Sequence, residues 1–237
     1  MDARSTLGFL APMPSELEPL RSRLALTATG DGPDAVHLGT HGSHPVVGLL
    51  TGIGMARADR RARHLLAEHR VDHVVVIGVA GGIGAHLSIG DVVVPEVVID
   101  QRDGRELVPV TLGPRAPAGR LLSGDELIKD TGRLAAFRDD GAYAIDMETA
   151  AIGRVCEDAG IPWSVFRGIS DDAFDPLVDD RILALTGPDG SPDLGAVTAF
   201  LADDPSHATL LARLGSDLDR ATTAAVDAAL RATAPPA

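Results

Sequence analysis

The sequence predicts a three-layer α/β domain with a mostly central sheet, and three observations support this. Short apolar runs of strand length alternate with segments whose apolar residues recur at helical spacing. Residues 73–79 form a β-branched run of the kind that fills a strand buried on both faces. Glycine-rich turns fall at the boundaries between the two kinds of segment. With 237 residues, 45% of them hydrophobic, the chain has enough apolar material for one large domain or at most two small ones.

In order, residues 7–11 read as a short strand broken by Pro12-Met13-Pro14-Ser15, after which a helix opens at Glu16 with its prolines confined to the first turns. Residues 35–39 and 45–50 form a hairpin around the turn material 40–44. Gly52-Ile53-Gly54 leads into a helix with Ala58, Ala62, Leu65 and Leu66 on one face. The strand at 73–79 is followed by a turn at 81–84 and by a further strand at 91–99. Residues 101–118, rich in Gly, Pro and Arg, read as loop or weak strand. After Glu148, Ala151, Ile152, Val155, Cys156 and Ala159 share a helical face, and 163–169 is a strand. From Asp193 onward the chain is expected to be helical, with Ala221, Ala225, Ala228 and Leu230 lining the last helix before a frayed tail.

Composition excludes several classes. A net charge of −13 with Lys129 as the one lysine argues against a nucleic-acid partner, which would need clustered cations to displace counterions. The longest apolar runs are far shorter than a membrane span. Arg4 is followed by a strand rather than by a leader's apolar run and cleavage site, so no secretory leader is expected. The single Cys156 precludes an internal disulfide and fits a reducing cytoplasm.

Gly52-Ile53-Gly54 between strand and helix invites a dinucleotide reading, but that fingerprint needs an acidic residue at the far end of the next strand. Asp72 lies at the near end, so Gly54 is better read as permitting a tight turn. Gly78-Val79-Ala80-Gly81-Gly82 closes a buried strand, where missing side chains let a ligand approach the backbone. Val79, Ala80 and Gly81 are therefore candidate substrate contacts. No Gly-Lys-Ser/Thr follows, which excludes a nucleoside-triphosphate loop. His41 and His44 have ligand-like spacing but sit in the hairpin turn; no metal and no other cofactor is expected.

The acidic residues are the most informative. Asp146-Met147-Glu148 stands where an extended segment meets a helix, and the helix dipole there favours an ionised Glu148 able to grip adjacent sugar hydroxyls. The alternative is that Glu148 simply caps the helix. Ser170-Asp171-Asp172 ends the strand at 163–169, and a partly desolvated carboxyl at such a place is suited to donate a proton to a leaving base. Its alternative is an Asx-turn. Glu16 follows the first strand and is expected to face the same rim, giving three carboxylates at the carboxyl ends of three strands.

With these residues in place, the chain resembles the nucleoside phosphorylase superfamily, and within it the methylthioadenosine/S-adenosylhomocysteine nucleosidases. The resemblance rests on Leu7-Gly8-Phe9-Leu10-Ala11-Pro12-Met13-Pro14-Ser15-Glu16, Thr51-Gly52-Ile53-Gly54, Gly78-Val79-Ala80-Gly81-Gly82 and Ser88-Ile89-Gly90-Asp91-Val92-Val93. It continues through Ser123-Gly124-Asp125 and Asp146-Met147-Glu148-Thr149-Ala150-Ala151 to Arg167-Gly168-Ile169-Ser170-Asp171. It implies an α/β/α phosphorylase-like fold with a central mixed sheet, one domain over 1–237 with a disordered tail at 233–237, and a homodimer.

The resemblance also implies roles. Asp171, beside Ser170, would protonate N7 of a purine; Glu16, supported by Arg167, would activate water. Met147 and Glu148 would hold the ribose, and the backbone near Leu127 and Ile128 would meet the base edge. Hydrolysis is favoured over phosphorolysis because Glu16 would repel phosphate and the 78–82 turn lacks arginine.

Three departures leave the substrate's 5′ group open among methylthio, homocysteinyl and futalosine-like. Val79 stands at a usual serine, Leu127 at a usual aromatic, and Ile99-Asp100-Gln101 replaces an aromatic-histidine stretch. A phosphate-dependent phosphorylase and an inactive nucleoside-binding protein remain as alternatives. Residues 174–204 follow their own course and are expected to shape the far side of the pocket.

Overall fold

The computed structural model describes residues 4–174, 179–187 and 189–235. The chain opens with β1 (Leu7–Ala11), α1 (Pro14–Leu24), β2 (Thr27–Thr29), β3 (Val36–His41), β4 (His44–Leu50) and α2 (Met55–Glu68). Its middle holds β5 (His73–Gly82), β6 (Val92–Val93), β7 (Val97–Asp100), β8 (Glu106–Leu107), β9 (Arg120–Ser123), α3 (Thr131–Asp139) and β10 (Ala142–Asp146). Then follow α4 (Thr149–Ala159), β11 (Trp163–Asp172), the short α5 (Asp180–Leu183), α6 (Leu194–Asp203) and the long α7 (His207–Thr233). Among the described residues no helix is long and apolar enough to cross a membrane.

The strands form one mixed sheet in the order β2-β3-β4-β1-β5-β10-β9-β7-β8, with β11 on the other side of β5 and β6 beyond it. The pleat sends alternate side chains to opposite faces. Val75 and Ile77 of β5 join Leu7 and Phe9 of β1 against Leu17 and Leu20 of α1 and Val226 and Ala229 of α7. Val74 and Val76 pack instead with Ala58 and Leu65 of α2 and Ile152 and Val155 of α4. Two helices thus cover each face of the central strands, which is the expected three-layer α/β/α arrangement with a mixed sheet.

Several boundaries differ from the sequence reading. β5 continues through Gly81 and Gly82 instead of turning there, because β11 pairs with it as far as Asp172↔Gly82 and β10 pairs Ile145↔Gly81 and Ala144↔Gly82. The strand expected at 91–99 is two strands split around Pro95, which has no N–H to donate. β6 joins β11 while β7 joins β9 and β8. The hairpin turn is Gly42-Ser43 alone, since His41 and His44 already pair across it. Pro19 lies inside α1 rather than in its opening turn. At the tail, Thr233 is buried at the end of α7 and Gly42 lies against Pro235; residues 236–237 lie outside the described residues.

β5 is longer than its neighbours, and this creates the feature that matters for function. On one edge it pairs with β1 only from His73 to Val76, and β10 joins the same edge only at Gly81 and Gly82. Between these lies a split in the sheet at residues 77–80 of β5. β1 runs parallel to β5 and β10 antiparallel, so their carboxyl ends point at each other across the split. The expectation of one rim shared by three strand ends is therefore corrected: β10 delivers Asp146 and Glu148 from the opposite direction.

Candidate active site

Glu16 stands at the third position of α1, immediately after β1, and is 1% exposed. Its two carboxylate oxygens bridge the split. Oε1 accepts the N–H of Val79 at 2.7 Å, and Oε2 accepts the N–H of Met13 at 2.7 Å. The first bond ties the helix start to the unpaired edge of β5, and the second closes the α1 N-terminus on itself. A carboxylate has about four acceptor positions, so these two bonds leave room for a further donor such as water. Burial raises the Glu16 pKa to about 7 against the opposing pull of Arg167. A carboxyl group with that pKa can accept a proton from water at neutral pH.

Arg167 comes from β11 on the other side of β5 and is fully buried. It sits directly opposite Gly78 in the parallel register, and its side chain crosses β5 over that glycine. A Cβ at Gly78 would fall 2.3 Å from Arg167 Nη1 and 2.5 Å from Glu16 Oε1, and the glycine's φ of +144° also disfavours a side chain. The guanidinium then meets three carboxylates. Nη2 lies 2.6 Å from Asp146 Oδ2 and 3.6 Å from Glu148 Oε2, and Nη1 lies 3.9 Å from Glu16 Oε1. Nη1 also donates to the carbonyl of Ile77 at 3.4 Å.

Glu148 is 4% exposed, and its Oε1 accepts the N–H of Gly54 at 2.9 Å. The alternative that Glu148 caps the helix does not hold. Glu148 occupies the N-cap of α4 but makes no side-chain capping bond. Asp146 does that work, its Oδ1 accepting from the N–H groups of Glu148 and Thr149 at 3.4 and 3.3 Å. Burial pushes the Glu148 pKa up, to about 8, against the pull of Arg167 and of the Gly54 N–H. Met147, between the two carboxylates, is half-buried.

Gly54 lies at the α2 N-cap with φ +97°, as a tight turn requires, and a Cβ there would fall 3.1 Å from Asp125 Oδ1. Asp125 Oδ1 accepts the N–H of Met55 at 2.7 Å, fastening the loop after β9 to the start of α2. That loop carries Leu127, half-buried, and Ile128, whose buried side chain packs with Ile83, Leu122 and Leu134. Lys129 pairs with Asp180 of α5, joining the loop to the 174–204 region. The same region reaches the start of α1, where Gly190 lies so close to Pro12 and Met13 that a Cβ would sit 2.9 Å from each. Residues 175–178 and 188 of it lie outside the described residues.

Asp171 is also on β11, opposite Gly81, with Ser170 as the extra residue at a shift in register. Ser170 Oγ donates to Asp171 Oδ1 at 2.6 Å, and a Cβ on Gly81 would fall 3.2 Å from Asp171 Oδ2. Gly81 lies three residue steps beyond Gly78 along β5, so Asp171 is displaced from the Glu16–Arg167 pair by roughly 10 Å of strand rise. Val79 and Gly81 are half-buried and Ala80 is buried between the two groups. The structure therefore brings Glu16, Arg167 and Glu148 into one cluster, with Asp171 farther along the same two strands.

The sequence reading gave no role to Asp146 or Thr149, which hold Arg167, nor to Asp125. Two of the residues replacing the aromatic-histidine stretch are structural here: Ile99 packs beside Ile128, and Asp100 is fully buried between Arg102 and Arg154. His41 and His44 bond to separate carbonyls, of Leu230 at 2.9 Å and Ser5 at 3.0 Å. Two open hollows, of about 630 and 320 Å³, lie elsewhere, and neither is lined by Glu16, Glu148 or Asp171. The chemistry argues for the carboxylate cluster over either hollow, because it joins perturbed titratable groups to strand ends.

A family model described as the phosphorylase superfamily matches residues 6–111 and 108–201. The chain is 27% identical over 219 residues to a 5′-methylthioadenosine/S-adenosylhomocysteine nucleosidase of Bacillus cereus strain B4264, covering 76% of this chain and 94% of that protein. Among solved structures, the nucleosidase of the same description from Neisseria meningitidis, in complex with methylthio-immucillin-A, superposes with a TM-score of 0.72 at 20% identity, covering 96% of this chain and 97% of that one. The futalosine hydrolase of Helicobacter pylori superposes with a TM-score of 0.69 at 17% identity, covering 94% of each chain. At these identities the two superpositions are likenesses of fold.

Proposed function

The chain belongs to the phosphorylase superfamily, and from that membership we propose that it hydrolyses the N-glycosidic bond of an adenosine-type purine nucleoside, releasing free base and a ribose derivative. The observation that carries this reading is the buried Glu16, set in the split of the sheet beside Arg167 with its pKa raised to about 7.

In the reaction the C1′–N9 bond breaks and its electron pair leaves with the base. Asp171 gives its proton to N7, which removes the negative charge building on the leaving group. Ser170, donating to Asp171 Oδ1, orients that carboxyl. Water adds its oxygen to C1′ from the opposite side and passes a proton to Glu16. Solvent then returns the proton from Glu16 to Asp171, so the two carboxyls end as they began. Met147 and Glu148 hold the ribose, with Glu148 on its hydroxyls. Val79, Ala80 and Gly81 of β5 and the backbone near Leu127 and Ile128 line the sugar and base.

Water rather than phosphate is favoured by the occupancy of Arg167. Its guanidinium is already engaged by Asp146, Thr149 and the Ile77 carbonyl, with Glu16 and Glu148 beside it. A phosphate dianion there would have to displace Asp146 from the one cation of the cluster. The adenosine preference and a 5′ substituent rest on the named relatives; methylthio, homocysteinyl and futalosine-like groups fit the reading equally. The protein is further proposed to act as a homodimer in the cytoplasm, where its single buried Cys156 would stay reduced.

The test is chromatographic detection of free base after incubation with purine nucleosides that differ at the 5′ position. Release from at least one of them is expected. Nucleosides that bind without any release would instead support a binding protein.

A further inference from the structure

Thr149 is the first residue of α4 and is fully buried. A hydroxyl has one proton to donate and two lone pairs to accept with. Thr149 uses all three within the cluster. Its Oγ1 donates to Asp146 Oδ2, and it accepts from Arg167 Nε at 3.2 Å and Arg167 Nη2 at 2.9 Å. It thus holds Nε and Nη2 together, the two donors along one edge of the planar guanidinium. Asp146 takes Nη2 from the side, and the Ile77 carbonyl takes Nη1 at the longer distance of 3.4 Å. Packing or helix capping alone would not explain this pattern. The capping bonds at this helix start come from Asp146 Oδ1, leaving the Thr149 hydroxyl free to serve Arg167.

We propose that Thr149 is a positioning residue for hydrolysis: its hydroxyl fixes the Arg167 guanidinium over Gly78 and so sets the charge that Glu16 experiences. This rests on the hydrolase reading only for its effect on turnover. The groups facing Glu16 are Arg167 from β11, Asp146 from the end of β10, Glu148 ahead of α4, and the N–H groups of Val79 from β5 and of Met13 at the α1 N-cap. Among them Arg167 is the one cation, and it lowers the Glu16 pKa together with the two backbone N–H groups. A guanidinium freed from Thr149 is drawn toward Asp146, which lies nearer to it than Glu16 does. Glu16 then becomes harder to ionise.

The experiment compares wild type with Thr149→Val, which keeps the shape, and Thr149→Ser, which keeps the hydroxyl. The Glu16 carboxyl is titrated by carbon NMR on glutamate-labelled protein, assigned through Glu16→Gln, alongside kcat and KM for base release. Thr149→Val should raise the Glu16 pKa by about one unit and lower kcat by up to about 100-fold with KM little changed. Thr149→Ser should restore both. An unmoved titration in Thr149→Val, or equal losses in the Val and Ser variants, would overturn the proposal. If Thr149→Val does not fold, Thr149→Ala takes its place under the same criteria. Failure of wild type to release base would defeat the hydrolase reading, while the titration would still decide the role of Thr149.

Discussion

Gly78 and Arg167 face each other across two parallel strands, and the guanidinium of one occupies the space where a side chain of the other would be. This is how a cation from β11 reaches a split on the far edge of β5. The relationship makes Gly78 a requirement of the site as well as of the backbone. Gly78→Ala is expected to destabilise the fold by roughly 1–3 kcal/mol through overpacking and strain. It should also lower base release far beyond what the loss of folded protein explains. Thermal melts paired with activity per folded molecule check this; a stable, fully active variant would mean that Arg167 does not pass over Gly78.

Glu16→Gln removes the proposed base while keeping its size. One amide oxygen can still accept from Val79, but the amide nitrogen then meets the N–H of Met13. Turnover should fall by about 100-fold or more, with nucleoside affinity nearly retained. The wild-type rate should rise with pH through about 7 as Glu16 ionises, and that limb should vanish in the variant. Stopped assays across pH, with binding measured by calorimetry, provide the comparison.

Stability should depend on pH with an unusual sign for carboxylates. Burial raises Glu16 to about 7 and Glu148 to about 8 in the folded state, so both favour folding most when protonated. Their contribution is complete below the ordinary glutamate pKa of 4.5 and is lost as pH rises through these values. Buried His73, lowered to about 4, acts in the opposite sense, but only below its ordinary value of 6.5. The melting temperature should therefore fall from about pH 6.5 to about pH 8, and Glu148→Gln should flatten part of that fall. A melting temperature that rises over the same range would contradict the burial of these carboxyls.

Asp171→Asn keeps the contact with Ser170 but has no acidic proton to give. Turnover should drop by about 100-fold or more while nucleoside binding persists. Single-turnover base release with a binding titration measures both, and equal turnover in the variant would remove Asp171 as the acid.

What could be read from the sequence follows from what side-chain pattern encodes. The β-branched run of β5 and the helical faces of α2, α4 and α7 are local periodicities, and they lie where expected. The extension of β5 through Gly81-Gly82 was hidden because glycines carry no pattern, and only pairing with β10 and β11 reveals it. Pro95 was a visible signal against one strand at 91–99, overridden by its valine neighbours. Glu16, Glu148 and Arg167 stood out through the residues around them. The parts of Asp146 and Thr149 did not, because their partner lies on a different strand and reaches them by crossing a third.

The central claim is that this chain breaks a base–ribose bond with water. The most direct measurement is base release from a cleaved nucleoside in phosphate-free buffer and again with added inorganic phosphate, with the sugar product identified in each. The account predicts the same rate in both and a free reducing sugar. Release only with phosphate, yielding a sugar 1-phosphate, would contradict it.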